Sequence, residues 1–309
     1  MRKHTVSVII PCYNSAEWIG TAVESCIHQG SSIKEIIVVD DHSTDNSMDI
    51  LDKLRKKYDG IIVVLNPLKG GNNARNYGFS ISSGDFIQWL DADDALLGGK
   101  LDTQLLFMIN NPSVDIAYSD WRLDTYNESR ILCQSEYKQL TNYSDYLEEL
   151  LKDNWAPPHV YLLKREAAQR AININGWDSA TRVAQDREFF TKVALTGATF
   201  GYAKGTFAVY NRRLNMQSVS RSMSAESKAR HIIQMLNCFL ELLERQDWIS
   251  DIAKNKYKRI LITQILYYVS IYNIQEVNSE FSFKNTNWSQ IKGYRSKLKM
   301  LVWLLTNKQ

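Results

Sequence analysis

Two places in this chain set carboxylates side by side directly after an apolar run. Asp40-Asp41 follows Ile36-Ile37-Val38-Val39, and Asp91-Ala92-Asp93-Asp94 follows Phe86-Ile87-Gln88-Trp89-Leu90. Carboxylates crowded in this way repel one another unless a cation neutralises them. Hard divalent ions such as Mg²⁺ or Mn²⁺ take oxygen ligands and bridge to phosphates. A third place, Lys69-Gly70-Gly71-Asn72-Asn73-Ala74-Arg75, sets two cations around a glycine pair ahead of a helical pattern. Backbone N–H groups there, together with a cation, suit a phosphate or pyrophosphate. A fourth, Gln185-Asp186-Arg187-Glu188, opens a helical pattern shortly after Asn175-Gly176-Trp177-Asp178. It offers Asp186 as a general base, with Trp177 as an apolar wall.

Each has a plainer reading. Asp-x-Asp is common in turns and at helix N-termini, and Asp40 or Asp41 can do no more than close a turn. Gly-Gly-Asn-Asn fits a solvated loop, and a carboxylate in a first helical turn is stabilised by the helix dipole. Other chemistry is excluded more firmly. Gly-x-x-x-x-Gly-Lys-Ser/Thr is absent, as are Gly-x-Gly-x-x-Gly after the first strand and the Gly-x-Ser-x-Gly elbow, and the acid loop lacks the Gly and spaced Glu of an EF-hand. His4, His28, His42, His159 and His231 form no metal-ligand spacing, and Cys12, Cys26, Cys133 and Cys238 form no CxxC pair.

The elements that must position these groups alternate. Thr5 to Pro11, Ile36 to Val39, Ile61 to Leu65, Asp85 to Leu90 and Asp115 to Trp121 read as strands, mostly apolar as in a sheet covered on both faces. Helical patterns separate them. Asn14 with Glu17 resembles a capping box, and Ser43 or Thr44 can cap the helix through Met48 and Leu51. Asp94 can cap a helix running from Ala95 to about Asn110. The expected architecture is α/β, a Rossmann-like, mainly parallel sheet with helices on both faces and a helical C-terminal extension. In a wound sheet the acid pairs share one crevice at the strand tips. One carboxylate there would receive a base or ribose, and another would hold a metal bridging a diphosphate. After Trp121 the alternation fades into Pro-rich and aromatic pieces, and amphipathic helices dominate from about Ala225.

Bulk properties set few limits. The chain has 309 residues, 44% hydrophobic and 23% charged, as in ordinary globular proteins. A net charge of +3 gives no argument for nucleic acid as a partner. The run from Val6 to Pro11 is too short for a signal core, and Ile260 to Ile274 is broken by Thr263, Gln264, Ser270 and Asn273. Scattered cysteines and no membrane span make a cytoplasmic location the expectation. Near the end, Lys292, Arg295, Lys297 and Lys299 precede Met300-Leu301-Val302-Trp303-Leu304-Leu305. That stretch suits either peripheral contact with an anionic membrane or a helix docked on the body or on a second subunit as a homodimer.

Five segments in order carry a family resemblance. They are Val6-Ser7-Val8-Ile9-Ile10-Pro11-Cys12-Tyr13-Asn14, Val39-Asp40-Asp41-His42-Ser43-Thr44-Asp45, Gly70 to Gly78, Leu90 to Asp94, and Gly176-Trp177-Asp178 with Gln185-Asp186. Over about the first 220 residues the chain resembles the family-2 inverting glycosyltransferases of the glycosyltransferase-A fold. The resemblance implies a nucleotide-sugar-binding half over 1–120 and an acceptor half over 121–222, and the amphipathic pattern adds a helical region over 223–309. It implies that Pro11, Tyr13, Asp41, Arg75, Asp91 and Ala92 bind the nucleotide sugar, with Asp41 receiving the base. Asp93 would be the ligand of Mn²⁺ or Mg²⁺, Asp186 the base that deprotonates the acceptor, and Trp177 and Asp178 acceptor contacts. The implied partners are a nucleoside-diphosphate sugar, foremost a UDP-sugar, and a saccharide or lipid-linked saccharide acceptor. The implied activity is transfer of one hexosyl or N-acetylhexosaminyl group in surface polysaccharide or glycolipid synthesis.

Departures qualify it. Gln185 stands where the family often has Glu, and Leu214 and Met216 stand where a late histidine often lies, with Arg212 or Arg213 as substitutes. The Gln-x-x-Arg-Trp motif of processive synthases is absent. Two rival readings remain: a nucleotidyltransferase using the same acids, and a catalytically silent nucleotide-sugar-binding module.

Overall fold

The computed structural model describes residues 4–30, 32–214, 223–272 and 274. Two compact units interleave along the chain. One comprises the described residues of 4–144, 156–179 and 198–214, and the other those of 145–155, 180–197 and 223 onward.

The first unit is built on a nine-stranded sheet, counted over the described residues. Its strands are β1 (Val6–Cys12), β2 (Ile33–Asp40), β3 (Ile61–Leu65), β4 (Phe86–Trp89), β5 (Ala95–Leu96), β6 (Ile116–Tyr126), β7 (Leu132–Lys138), β8 (Leu162–Lys164) and β9 (Phe200–Arg213). The order is β3-β2-β1-β4-β8-β6-β9-β5, with β7 on β6. The expected parallel part is there: β3, β2, β1 and β4 run the same way. β8 then runs against both β4 and β6. The chain winds outward from β1 to β3 and crosses back to place β4 on β1's other side. Ligands of open α/β sheets bind at such a reversal.

Burial explains the winding. Val6, Val8 and Ile10 of β1 pack with Ala22 and Val23 of α1 (Ile19–Ile27), Leu51 of α2 (Ser47–Lys57) and Leu105 of α4 (Lys100–Asn110). The opposite face carries Ile37 and Val39 against Ala74 of α3 (Gly71–Ile81). Side chains alternate across a strand, so β1 and β2 feed a core on each face. α3 lies close because Gly78 has no side chain: a Cβ there would stand 2.5 Å from Ile9 Cγ2.

Gly84 just before β4 is tighter still. A Cβ would lie 2.5 Å from Ser7 N and 2.8 Å from the Val6 carbonyl carbon, which are backbone atoms that cannot swing aside. Its own N–H donates to Ser7 Oγ at 2.7 Å. Gly84→Ala is expected to cost about 1–3 kcal/mol, the range for overpacking. The urea midpoint should fall accordingly, and an unchanged midpoint would show that β1 and β4 can separate without penalty.

Three helix starts differ from expectation. α1 begins at Ile19 without a side-chain cap, because Asn14 Oδ1 instead accepts Thr44 N–H at 2.7 Å. α2 has no side-chain cap either; Ser43 Oγ accepts Asn14 N–H at 3.0 Å, tying the loops after β1 and β2 together. Residues Ala95 and Leu96 form β5 rather than a helix, and α4 starts at Lys100 behind Gly99. Asp94 therefore caps no helix. In each case the short polar side chain found a partner across a loop, which sequence distance cannot show.

The second unit is helical: α5 (Tyr146–Leu151), α7 (Gln185–Leu195), α8 (Ala225–Glu244) and α9 (Asp251–Tyr272), while α6 (Arg165–Ile172) belongs to the first. Arg187, buried in α7, donates to the Leu150 and Leu151 carbonyls at 3.1 and 2.8 Å and to Gln264 at 2.8 Å. It thereby satisfies carbonyls left open at the end of α5. No helix of the described residues is long and apolar enough to cross a membrane. The basic and apolar stretch from Lys292 to Leu305, and the segment from Met216 to Ser220, lie outside the described residues.

Candidate active site

Of the two acids ending β2, Asp40 closes the turn, accepting Ser43 N–H through both oxygens at 3.3 and 3.2 Å. Asp41 does something else. Its carboxylate accepts Gly70 N–H at 2.8 Å and Asn66 Nδ2 at 2.7 Å, so it fixes the glycine turn ahead of α3. Gly70 has φ of +125°, a conformation that suits glycine and is costly for other residues. Pro11 and Tyr13 lie at the end of β1 and just beyond it. Tyr13 is exposed, with Lys69 Nζ 5.5 Å from its ring centroid.

α3 brings Arg75 to the acid loop. The buried guanidinium donates through Nη2 to Asp91 Oδ1 at 2.6 Å and through Nη1 to Asn72 Oδ1 at 3.2 Å. Trp177 lies under it, its ring centroid 4.6 Å from the guanidinium carbon. Only 1% of Trp177 is exposed, so it backs Arg75 from inside the fold. The segment is held by α3: Asn72 Nδ2 donates to the Asp178 carbonyl at 2.6 Å, and Asn76 Nδ2 to the Trp177 carbonyl at 2.8 Å. Asn72 and Asn76, within α3, therefore fasten 177–178 rather than lie in a solvated loop.

β9 closes the loop from the other side. Asn211 N–H donates to Asp94 Oδ1 at 2.7 Å, and Asn211 Nδ2 to the Asp93 carbonyl at 2.9 Å. Arg213 Nη1 donates to Asp93 Oδ2 at 2.6 Å, and Nη2 to the Asp93 carbonyl at 2.9 Å. Ala92 is buried between these contacts. Asp91, Asp93 and Asp94 thus each have a different partner, Arg75, Arg213 and Asn211. Desolvation and the Asp91 charge push the Asp93 carboxyl up, while Arg213 opposes them.

Asp186 lies in the second unit, half-buried in the first turn of α7. α7 follows Ala184 at φ +54°, with no side-chain cap, and Gln185 Nε2 is spent on the Thr181 carbonyl at 2.9 Å.

The family model described as "Glycosyl transferase family 2" matches residues 7–170, more than half of the 309. The chain belongs to glycosyltransferase family 2. An uncharacterized glycosyltransferase of Haemophilus influenzae is 30% identical over 69% of this chain and 90% of its own length. An Escherichia coli protein named UDP-Glc:alpha-D-GlcNAc-diphosphoundecaprenol beta-1,3-glucosyltransferase is 36% identical over 38% of this chain and 47% of its own length. Among solved structures, the 1–349 portion of Staphylococcus aureus TarS with UDP-GlcNAc aligns at a TM-score of 0.63, with 18% identity over 87% of this chain and 73% of that one. That likeness shows the fold, a glycosyltransferase-A-type sheet with helices. Family membership sets the nucleotidyltransferase reading aside.

In this glycosyltransferase one residue that spacing had passed over stands beside the acid loop. His159, in the 3₁₀ turn Pro158–Val160, places Nδ1 3.4 Å from Asp94 Oδ2. Asp91, Asp94 and His159 offer ligand atoms all within 4.8 Å of one another. Asp94 Oδ2 is buried with no hydrogen-bond partner. Burial pushes the His159 imidazolium down to about 4 and the Asp94 carboxyl well up. Imidazole nitrogen and carboxyl oxygens are atoms that a divalent cation can take as ligands. Beneath it, buried Lys100 donates to Gln88 and to Gln104 Oε1, and Gln104 Nε2 donates to the Val160 carbonyl at 3.0 Å. Spacing along the chain does not show that this turn brings His159 to the acids after β4.

Proposed function

We propose that the protein transfers a single sugar, with inversion and with the help of Mn²⁺ or Mg²⁺, from a nucleoside-diphosphate sugar to an acceptor hydroxyl. The observation that carries this reading is the pairing of two guanidinium groups with two carboxylates around the tip of β4. Such a centre can take a diphosphate on its cations and a divalent cation on its anions. A UDP-sugar is the proposed donor, in keeping with the UDP-glucose named for the Escherichia coli relative and the UDP-GlcNAc in the Staphylococcus aureus structure. The proposed acceptor is a saccharide or a lipid-linked saccharide, the latter in keeping with the diphosphoundecaprenol acceptor in the Escherichia coli name.

The roles follow the residues. Tyr13 offers an exposed ring to a base, Pro11 and Ala92 shape the pocket, and Asp41 receives the base through oxygen lone pairs beyond those used by Gly70 and Asn66. Arg75 and Asp91 orient ribose and diphosphate. Asp93 is the direct metal ligand, with Asp91, Asp94 and His159 behind it. When bound, the cation neutralises charge on the leaving diphosphate. Asp186 takes the proton from the acceptor hydroxyl. The acceptor oxygen then bonds to the anomeric carbon from the face opposite the nucleotide, and the C–O bond to the diphosphate breaks with its electron pair on the phosphate oxygen. Trp177 and Asp178 form the inner support of the acceptor side. Transfer would take place on the cytoplasmic side, in solution or at the membrane face.

A panel of UDP-, GDP- and dTDP-sugars with Mn²⁺ or Mg²⁺ tests this. UDP-sugars are expected to raise the melting temperature only with metal present, and to release UDP slowly by donor hydrolysis. Stabilisation without release from any donor would leave a silent sugar-binding module and overturn the proposal.

A further inference from the structure

Asp93, the proposed metal ligand, already has a cation. Arg213 reaches it with two hydrogen bonds, to Oδ2 at 2.6 Å and to the carbonyl at 2.9 Å. The guanidinium carbon lies 3.6 Å from the ring centroid of Trp18, whose other neighbour is Arg130 at 5.9 Å. Arg130 is itself paired with Glu17. The Arg213 side chain is 8% exposed and the Asp93 side chain 46%. The arginine is thus packed against Trp18, and the carboxylate is the more exposed partner of the pair. A planar guanidinium stacked on an aromatic ring keeps its full charge.

A divalent cation on Asp93 must work against that charge. The Arg75–Asp91 pair is braced from Asn72 and Trp177, so it offers no relief. A diphosphate would provide relief, since it brings anionic oxygens that a guanidinium binds bidentately.

Resting on the donor reading above, we propose that Arg213 is a built-in counter-cation of Asp93, released to the donor's diphosphate, so that metal and donor bind cooperatively. Metal alone binds weakly because Arg213 occupies its ligand. With nucleotide present, Arg213 turns to the diphosphate and Asp93 is freed for the metal. By linkage the nucleotide gains from metal as much as metal gains from nucleotide.

Mn²⁺ affinity of the full chain, read from the free-Mn²⁺ electron paramagnetic resonance signal with and without UDP, tests this without turnover. In Arg213→Gln, Mn²⁺ affinity without UDP should rise about ten-fold, and the gain caused by UDP should shrink toward none. Trp18→Leu, which removes only the stacking surface, should move both quantities the same way by less; it is read instead if Arg213→Gln does not fold by circular dichroism. Unchanged or weaker Mn²⁺ affinity without UDP, in a folded variant, overturns the inference while leaving the donor reading intact. If the wild-type chain binds neither Mn²⁺ nor UDP, the donor reading fails and takes the inference with it.

Discussion

Asp186→Asn is expected to keep UDP-sugar binding and lose turnover by about 10²–10⁴-fold, the contribution of a positioned general base. Asparagine matches the shape of aspartate but cannot accept the acceptor's proton. The fold should survive the change. α7 is anchored by the residues beside Asp186: Arg187 grips the end of α5, and Glu188 pairs with buried Lys192 at 2.7 Å. Neither bond uses Asp186. The helix dipole favours a charge at this position, and losing that share of the stabilisation costs about 0.3–1 kcal/mol, too little to explain a loss of that size. Gln185 cannot take over, being an amide already bound to the Thr181 carbonyl. The checks are donor affinity by calorimetry and UDP release with acceptor. Turnover within a few-fold of wild type would move the base elsewhere, with Asp178 the first alternative.

Much of this was legible locally, and what was not has one physical cause. The β1–β4 winding showed in the apolar runs because a strand buried on both faces needs an apolar sequence. The acids at its tips showed because chain order fixes which strand ends share a crevice. Side-chain partners are a different matter. Asn14, Ser43 and Asp94 are short acceptors or donors in loops, and each bonds to whatever backbone the fold brings near. Helix caps were the reasonable local guess, and cross-loop ties were the outcome. His159 and Arg213 come from the fading second half, carried in by a 3₁₀ turn and by the last residue of β9. Their sequence separation from Asp93 and Asp94 hid them, though Arg213 had a hint in the missing late histidine. The interleaving of 145–155 and 180–197 with the C-terminal helices left no compositional mark, because buried helices look alike from either unit.

Asp93→Ala should weaken metal-dependent UDP binding by about 100-fold or more, since even outer-sphere partners of a metal site cost 10–100-fold. The residue has no structural duty comparable to that of its neighbours. Asp94 clamps β9 through Asn211, and Asp91 holds Arg75, but the Asp93 side chain is nearly half exposed and touches only Arg213 among the hydrogen bonds described. Its carbonyl still receives Arg213 and Asn211 in the alanine variant, so the loop should keep its course. Asp91→Ala makes the contrast: it strands the buried Arg75 and should lower stability as well as donor affinity. Calorimetry of UDP with Mn²⁺, repeated with EDTA, separates the effects. Should Asp93→Ala retain wild-type affinity, the cation must rest on Asp91, Asp94 and His159, and His159→Gln would then abolish it. Otherwise Asp93→Ala and Arg213→Gln must move metal affinity in opposite directions. One removes the ligand and the other removes the charge competing for it, so a shared direction would mean that the two residues act only to hold the loop.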